Sequence, residues 1–187
     1  MVRNLLGFLP WIVYAIIATS DNWRYGAITG FVIAIGVLVV DRRAGKGWDE
    51  MVIASSAAVF FTVITLISFA LPGTPLMRYG PALVNAWLAL TAGGSLLIGR
   101  PFTLGIARTM APREVWDSPV FHRINVIITS VWAVSFTVAA VALSFLLYGF
   151  PHATLAVIAI KIAGVAVPAA FTARYPQTVA ARYATAA

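Results

Sequence analysis

Long apolar runs without charged residues restrict the folds open to this chain more than any other feature. About 20 such residues are enough for a helix to cross a bilayer. Six segments reach or approach that length: Asn4 to Ser20, Trp23 to Val40, Val52 to Leu71, Pro81 to Ile98, Ile124 to Tyr148 and His152 to Phe171. The first two are short and could instead form a shallow hairpin. The sequence predicts an all-α polytopic membrane helix bundle of about six transmembrane helices.

The composition agrees with a membrane protein. Hydrophobic residues make up 61% of the 187 positions and charged residues only 10%, which is too few charges to cover the surface of a soluble domain. The net charge of +7 would suggest nucleic-acid binding in a soluble protein, but basic loops beside membrane spans explain it better. No internal repeat or long linker divides the chain, so residues 1–187 are expected to form a single integral membrane domain.

The distribution of basic residues predicts the orientation, because Lys and Arg next to spans are retained in the cytoplasm. With six spans, the loops on one side carry only Arg24 and Arg78. The loops on the other side carry Arg3, Arg42, Arg43, Lys46, Arg100, Arg108, Arg113, Arg123, Arg174 and Arg182. Both termini are therefore predicted to be cytoplasmic, in a multi-pass protein of the bacterial cytoplasmic (inner) membrane.

The stretch from Gly99 to Asn125 is the longest polar interruption, and it lies between the fourth and fifth spans. Phe102, Ile106 and Met110 recur at helical spacing, which predicts a short amphipathic helix lying at the membrane interface. The arginines of this loop could bind anionic lipid phosphates, or they could act only as signals for orientation. They are Arg100, Arg108, Arg113 and Arg123.

Lys161 is the one charged residue well inside a predicted span. A lysine near the middle of a bilayer costs about 3 kcal/mol and indicates a functional site unless it is paired. No acidic residue falls at membrane depth, so the expected partners are water or hydroxyl groups of the fifth span, Ser130, Ser135 and Thr137. Lys161 either lines a binding site or bonds to a neighbouring helix, and the sequence leaves both alternatives open.

Small residues indicate where the helices touch, because close approach of backbones supplies much of the packing energy in lipid. Gly26 and Gly30 form one such stripe, and Gly93 belongs to a second. The chain has no cysteine, and its two histidines fall on opposite sides of the predicted membrane, so no metal site is expected. With no catalytic motif and no cofactor motif, the sequence favours a role other than catalysis.

Several short motifs, in order along nearly the whole chain, resemble the intracellular septation protein A family of bacterial inner-membrane proteins. They are Leu6-Gly7-Phe8-Leu9-Pro10, Gly99-Arg100-Pro101-Phe102, the segment from Trp116 through Asn125 to Trp132, Phe150-Pro151, and Lys161-x-x-Gly164. The resemblance implies a role in cell division and envelope maintenance, with division or cell-wall synthesis proteins as partners. It also singles out Arg100, Trp116, Asn125 and Lys161, and adds Gly164 to the expected packing positions.

Two functions follow from these observations. The first is an inner-membrane protein that supports cell division and the cell envelope through contacts with other helices and with membrane lipids, including anionic ones. The alternative is a small channel or carrier for an anion, a lipid or an apolar solute, which uses Lys161 in a membrane cavity. A homo-oligomer is compatible with either function.

Overall fold

The computed structural model describes residues 6–18, 22–150 and 152–185, and within them it contains helices and turns but no strand. The α-helices are α1 Leu9–Ile17, α2 Trp23–Arg43, α3 Val52–Ala70, α4 Gly80–Leu97, α5 Phe102–Arg108, α6 Pro119–Gly149 and α7 Thr154–Thr185. Short 3-10 turns precede or connect them at Leu6–Phe8, Trp48–Met51, Pro75–Tyr79 and Arg113–Val115.

Five helical segments of the described chain are long and apolar enough to cross a membrane, which confirms the helical membrane class. They are α2, the segment Trp48–Ala70, α4, α6 and the segment Thr154–Val179. Within the described residues, the apolar helical part of the first predicted span runs from Leu6 to Ile17. At about 1.5 Å per residue this part covers about 18 Å, well under the 30 Å of a hydrocarbon core. Asn4 and Ser20, its predicted ends, lie outside the described residues.

Two helix ends follow the sequence signals. Ser118 has an extended backbone and α6 begins at Pro119, because proline is favoured in the first turn, where its missing N–H is not needed. α4 ends at Leu97, and Gly99 follows with a φ of +70°, a left-handed conformation that suits glycine. The sequence predicts this start, because Ser118-Pro119 reads as an N-cap and first helical position ahead of the apolar span from Ile124 to Tyr148. α7 continues beyond the predicted Phe171, because helical structure extends past the apolar segment.

The helices form two groups. In the N-terminal group, α2 packs against both α1 and α3, and in the C-terminal group α6 packs against both α4 and α7. Between the groups, α3 approaches α4 over a small area. At one end of the bundle, α5 also joins them by contacting the Trp48–Met51 turn and α6.

Aromatic rings fill the centre of the bundle and connect the two groups. Trp11 of α1 lies 5.0 Å, between ring centroids, from both Phe60 and Phe61 of α3. Phe60 also lies 5.7 Å from Trp87 of α4, whose indole N–H donates a 2.9 Å hydrogen bond to the Ser56 hydroxyl. This cluster closes the space between the groups at the middle of the bundle.

Glycine allows close helix contacts at several of the predicted positions. A Cβ added at Gly30 would lie 2.5 Å from the Phe61 ring, and one at Gly26 would lie 2.9 Å from the Cβ of Ala18. At Gly164 it would lie 3.2 Å from the Cβ of Ala139. Gly93 is different: an added Cβ would meet no atom within 4 Å, so Gly93 is not at a close helix contact within this chain.

The predicted amphipathic helix exists as α5, but its apolar side faces protein. Phe102 is 2% exposed, and Thr103 and Gly105 are buried with it. A Cβ at Gly105 would collide with the backbone of Asp49 and Glu50. Met110, the third residue of the predicted stripe, is exposed and lies beyond the helix end. Periodicity located the apolar side, but that side packs against the bundle rather than against acyl chains.

We expect Gly30→Ala to lower the melting temperature of the purified protein in detergent. The added methyl group overlaps a ring fixed in the aromatic cluster, and such overpacking costs about 1–3 kcal/mol. Gly93→Ala is the matched control in another apolar helix, where alanine favours the helix by up to about 1 kcal/mol. Equal melting temperatures for the two variants would contradict the close contact at Gly30.

Candidate functional site

An open cavity of about 680 Å³ lies at the end of the bundle where α4 and α7 begin, and Lys161 is one of its lining residues. Its walls come from the last turn of α1, the start of α2, the Pro75–Tyr79 turn, the first turns of α4 and α7, and the end of α6. We refer to it as the Lys161 cavity. Both groups of helices contribute to it, so the cavity lies between them.

One face of α7 forms a wall of the cavity. Thr154, Val157 and Lys161 line it, and their spacing of three and four residues places them on the same side of the helix. Gly164 continues this face and sits against α6, where the Ser135 hydroxyl donates a 3.0 Å hydrogen bond to its carbonyl. Because α7 starts at Thr154 and extends to Thr185, Lys161 lies about 10 Å from the helix start. It is therefore off-centre in α7, whereas the sequence predicted a position near mid-span.

The Lys161 ammonium donates a 3.2 Å hydrogen bond to the carbonyl oxygen of Ala15. Ala15 belongs to the last turn of α1, where carbonyls lack intrahelical donors and the helix dipole favours a cation. The hydroxyl groups expected to pair with Lys161 bond elsewhere: Ser130 to the Val126 carbonyl, Ser135 to the Gly164 carbonyl and Thr137 to the Ala133 carbonyl. The end of a short helix thus replaces the missing acidic partner.

Among the described residues that line the cavity, the ionisable side chains Lys161, Arg78 and His152 are basic. Arg78, on the Pro75–Tyr79 turn, and His152, just before α7, line the cavity with Lys161, and both are exposed. None of the described lining residues is acidic. A concave surface with only basic groups and low-dielectric walls concentrates anions. The arrangement therefore suits a ligand that carries a negative charge.

Neutral polar groups and apolar side chains complete the walls. Asn85 of α4 is buried and donates a 2.9 Å hydrogen bond to the Pro81 carbonyl, which leaves its side-chain oxygen as an acceptor. The hydroxyl of Tyr14 would lie 2.9 Å from a Cβ at Gly80, so glycine makes room for it. The apolar part of the lining consists of Ala15, Ala18, Trp23, Pro75, Pro81, Val84, Leu147 and Val157.

The predicted residues of the basic loop form a separate cluster, around Trp116. The guanidinium groups of Arg108 and Arg113 each lie 5.6 Å from the centroid of the Trp116 ring. Arg108 also contacts the carboxylate of Asp49 at 3.4 Å. Arg100 and Arg123 are exposed. None of these residues lines the Lys161 cavity.

Asn125 lies inside the bundle rather than in a binding site. It is 2% exposed, and its side chain donates a 2.9 Å hydrogen bond to the Phe121 carbonyl. The hydroxyl of Thr103 donates to the Asn125 carbonyl at 3.1 Å and lies 2.8 Å from the Thr129 hydroxyl. The two Thr103 contacts join α5 to α6, and Asn125 takes part in them through its backbone carbonyl.

Sequence reasoning missed most of the cavity. Tyr14, Arg78, Asn85 and His152 line it with Lys161, yet they come from four separate parts of the chain. Their shared position near helix ends on one side of the predicted bundle was the available signal. The described residues contain no group of three or more His, Cys, Asp or Glu that could hold a metal ion.

Comparisons with family models, curated proteins and solved structures find no match to this chain. The resemblance to the septation protein A family therefore stays a prediction. The geometry of the Lys161 cavity is then the main indication of function.

Single cysteines give a direct test of the cavity, because the chain has no cysteine of its own. We expect Val157→Cys to react with a polar thiosulfonate reagent at least about tenfold faster than Ile158→Cys, since the reaction requires a thiolate in contact with water. Val157 faces the cavity, whereas Ile158 is exposed on the outer surface of the same helix. Equal rates in lipid nanodiscs would contradict a water-filled cavity.

Proposed function

We propose that this chain is a multi-pass membrane protein that binds a ligand with an anionic group in the Lys161 cavity, as the binding step of a carrier. The observation that supports it best is the meeting of three basic side chains, Lys161, Arg78 and His152, around an open cavity whose described lining has no acidic residue. Unpaired like charges repel one another in a low-dielectric surrounding. An anion bound among them lowers that repulsion.

The hydrogen bonding of the Lys161 ammonium supports ligand binding over a purely structural role. A structural lysine in lipid is expected to be enclosed by acceptors that satisfy its three donors. The one hydrogen bond of the Lys161 side chain in the described structure is the bond to Ala15, and the side chain is only half-buried. Donors remain for water or for an anionic ligand.

The two groups of helices favour a carrier over a channel. The cavity is open at one end, and the aromatic cluster of Trp11, Phe60 and Trp87 fills the space between the groups further along the bundle. Carriers commonly place the site between two helix groups that rock against each other. The contacts between the groups here are mainly between side chains, with a 2.6 Å hydrogen bond between Ser56 and Thr91 among them.

We further propose the orientation that the basic loops predict, with the Lys161 cavity on the non-cytoplasmic side of a bacterial inner membrane. The segments before α4 and before α6 are then on opposite sides, because α4 crosses once between them. We expect Leu76→Cys to react with a membrane-impermeant reagent in intact cells, and Asp117→Cys to react only after the cells are lysed. Both side chains are exposed, so reaction of both in intact cells would contradict this orientation.

The role in cell division and envelope maintenance remains a prediction from the resemblance, together with division or cell-wall synthesis proteins as partners. Nothing specific in the site favours it over ligand binding. A scaffold would have no need of a basic, water-open cavity.

The charge preference of the cavity tests the proposed function without knowledge of the ligand. In Val157→Cys we expect an anionic sulfonate thiosulfonate reagent to react faster than a cationic ammonium one of similar size. Adding Lys161→Met should lower the ratio of the two rates at least about fivefold, because a unit charge about 8 Å away acts on the two reagents in opposite directions, by roughly 0.5 kcal/mol each even at the dielectric constant of water.

The matched control is Arg24→Met in the same Val157→Cys background. Arg24 lies on the second residue of α2, with its guanidinium 5.5 Å from the Phe69 ring, and it does not line the cavity. Its loss should leave the rate ratio unchanged. Faster reaction of the cationic reagent in the parent variant, or an equal change for both substitutions, would contradict an anion-binding cavity.

A further inference from the structure

We infer that the ligand of the Lys161 cavity is an anionic amphiphile, with a phosphate or carboxylate head and a hydrocarbon chain. This inference rests on the proposed function and narrows it to one chemical class. Three features of the protein support it: the size of the cavity, the basic and apolar parts of its wall, and the exposed apolar side chains that flank Lys161.

The size of the cavity excludes a tight fit to a small inorganic anion. At about 680 Å³ it lies within the roughly 300–1,000 Å³ of sites that enclose organic ligands. A halide or a free phosphate would leave most of this space to water.

The walls combine a basic part with an apolar part, as a ligand with two unlike ends requires. Lys161 and Arg78 supply positive charge, and His152 adds a polar ring. Val84 of α4, Leu147 of α6 and the alanines of α1 supply apolar surface. A hydrocarbon chain gains about 0.8 kcal/mol for each CH₂ group that it buries, so a few such groups contribute more than one hydrogen bond.

The side of the cavity between α1 and α7 borders the lipid-facing surface. The Lys161 bond to Ala15 joins these helices there. On α1, Ile16 directly follows Ala15 and is 74% exposed, and on α7 Ile158 and Ile162 flank Lys161 and are also exposed. An amphiphile that enters from the bilayer can pass its head between these helices to Lys161 without crossing water, and its chain then lies against the apolar wall of the cavity.

The test compares dodecyl phosphate with inorganic phosphate as ligands of the full chain in phosphatidylcholine nanodiscs. We expect dodecyl phosphate to bind at least about 100-fold more tightly, because burial of only four CH₂ groups contributes about 3 kcal/mol. Lys161→Met should weaken its binding by about tenfold or more, as expected when a hydrogen bond to a charged group is lost. Dodecanol, which has the chain without the charge, should bind much more weakly than dodecyl phosphate.

Substitutions that fill the apolar wall test the contribution of the hydrocarbon chain apart from that of the charged head. We expect Val157→Trp to lower the affinity for dodecyl phosphate at least about tenfold. Ile158→Trp, on the outer surface of the same helix, should change that affinity by no more than about twofold. Val84→Trp fills the wall from α4 and replaces Val157→Trp if that variant does not fold, as judged by its melting temperature. Both wall substitutions remove space that only a large ligand occupies.

The outcomes distinguish the inference from the proposed function. If inorganic phosphate binds as tightly as dodecyl phosphate and Lys161→Met weakens both, the site holds a small anion, so the amphiphile is wrong and the proposed function stands. If dodecanol binds as well as dodecyl phosphate, or if neither phosphate binds, the proposed function itself is wrong. Equal effects of Val157→Trp and Ile158→Trp would overturn the placement of the chain in this wall.

Discussion

Polar groups inside lipid have no water to bind, and the need to satisfy them within the protein determines how this bundle is built. Many hydroxyl groups donate back to a carbonyl one turn earlier in their own helix, as Thr62 does to Ala58 and Ser144 to Ala140. Others join helices, as Ser135 does with the Gly164 carbonyl. Lys161 follows the same rule with a charged donor, and this makes the end of α1 its acceptor.

The shortness of α1 and the presence of Lys161 explain each other. A helix of nine residues exposes carbonyls of its last turn at a depth where a full span would have none free. The ammonium donates to one of those carbonyls, that of Ala15, and the end of the short helix lines the Lys161 cavity. Replacing Lys161 by an apolar residue would leave the Ala15 carbonyl without this donor.

Local signals in the sequence were enough for helix ends but not for the site. Ser118-Pro119 and Gly99 act through their own backbone, so the start of α6 and the end of α4 could be predicted. The Lys161 partner could not be, because Ala15 is 146 positions away and any residue offers a carbonyl. The apolar periodicity predicted the helix α5 correctly but assigned its apolar side to the membrane instead of to the bundle. A stripe of apolar residues can pack against either lipid or protein, so the spacing alone does not distinguish them.

The two ends of the bundle differ in a way that favours ligand access from one side. At the end opposite the cavity, α5 is fixed by the close approach of Gly105 to the Asp49 backbone and by the bonds of Thr103 to α6. At the cavity end, α1 and α7 share one hydrogen bond through a flexible side chain. Under the proposed function, a ligand that takes the Lys161 ammonium away from Ala15 would remove a contact at the cavity end and leave the opposite end intact.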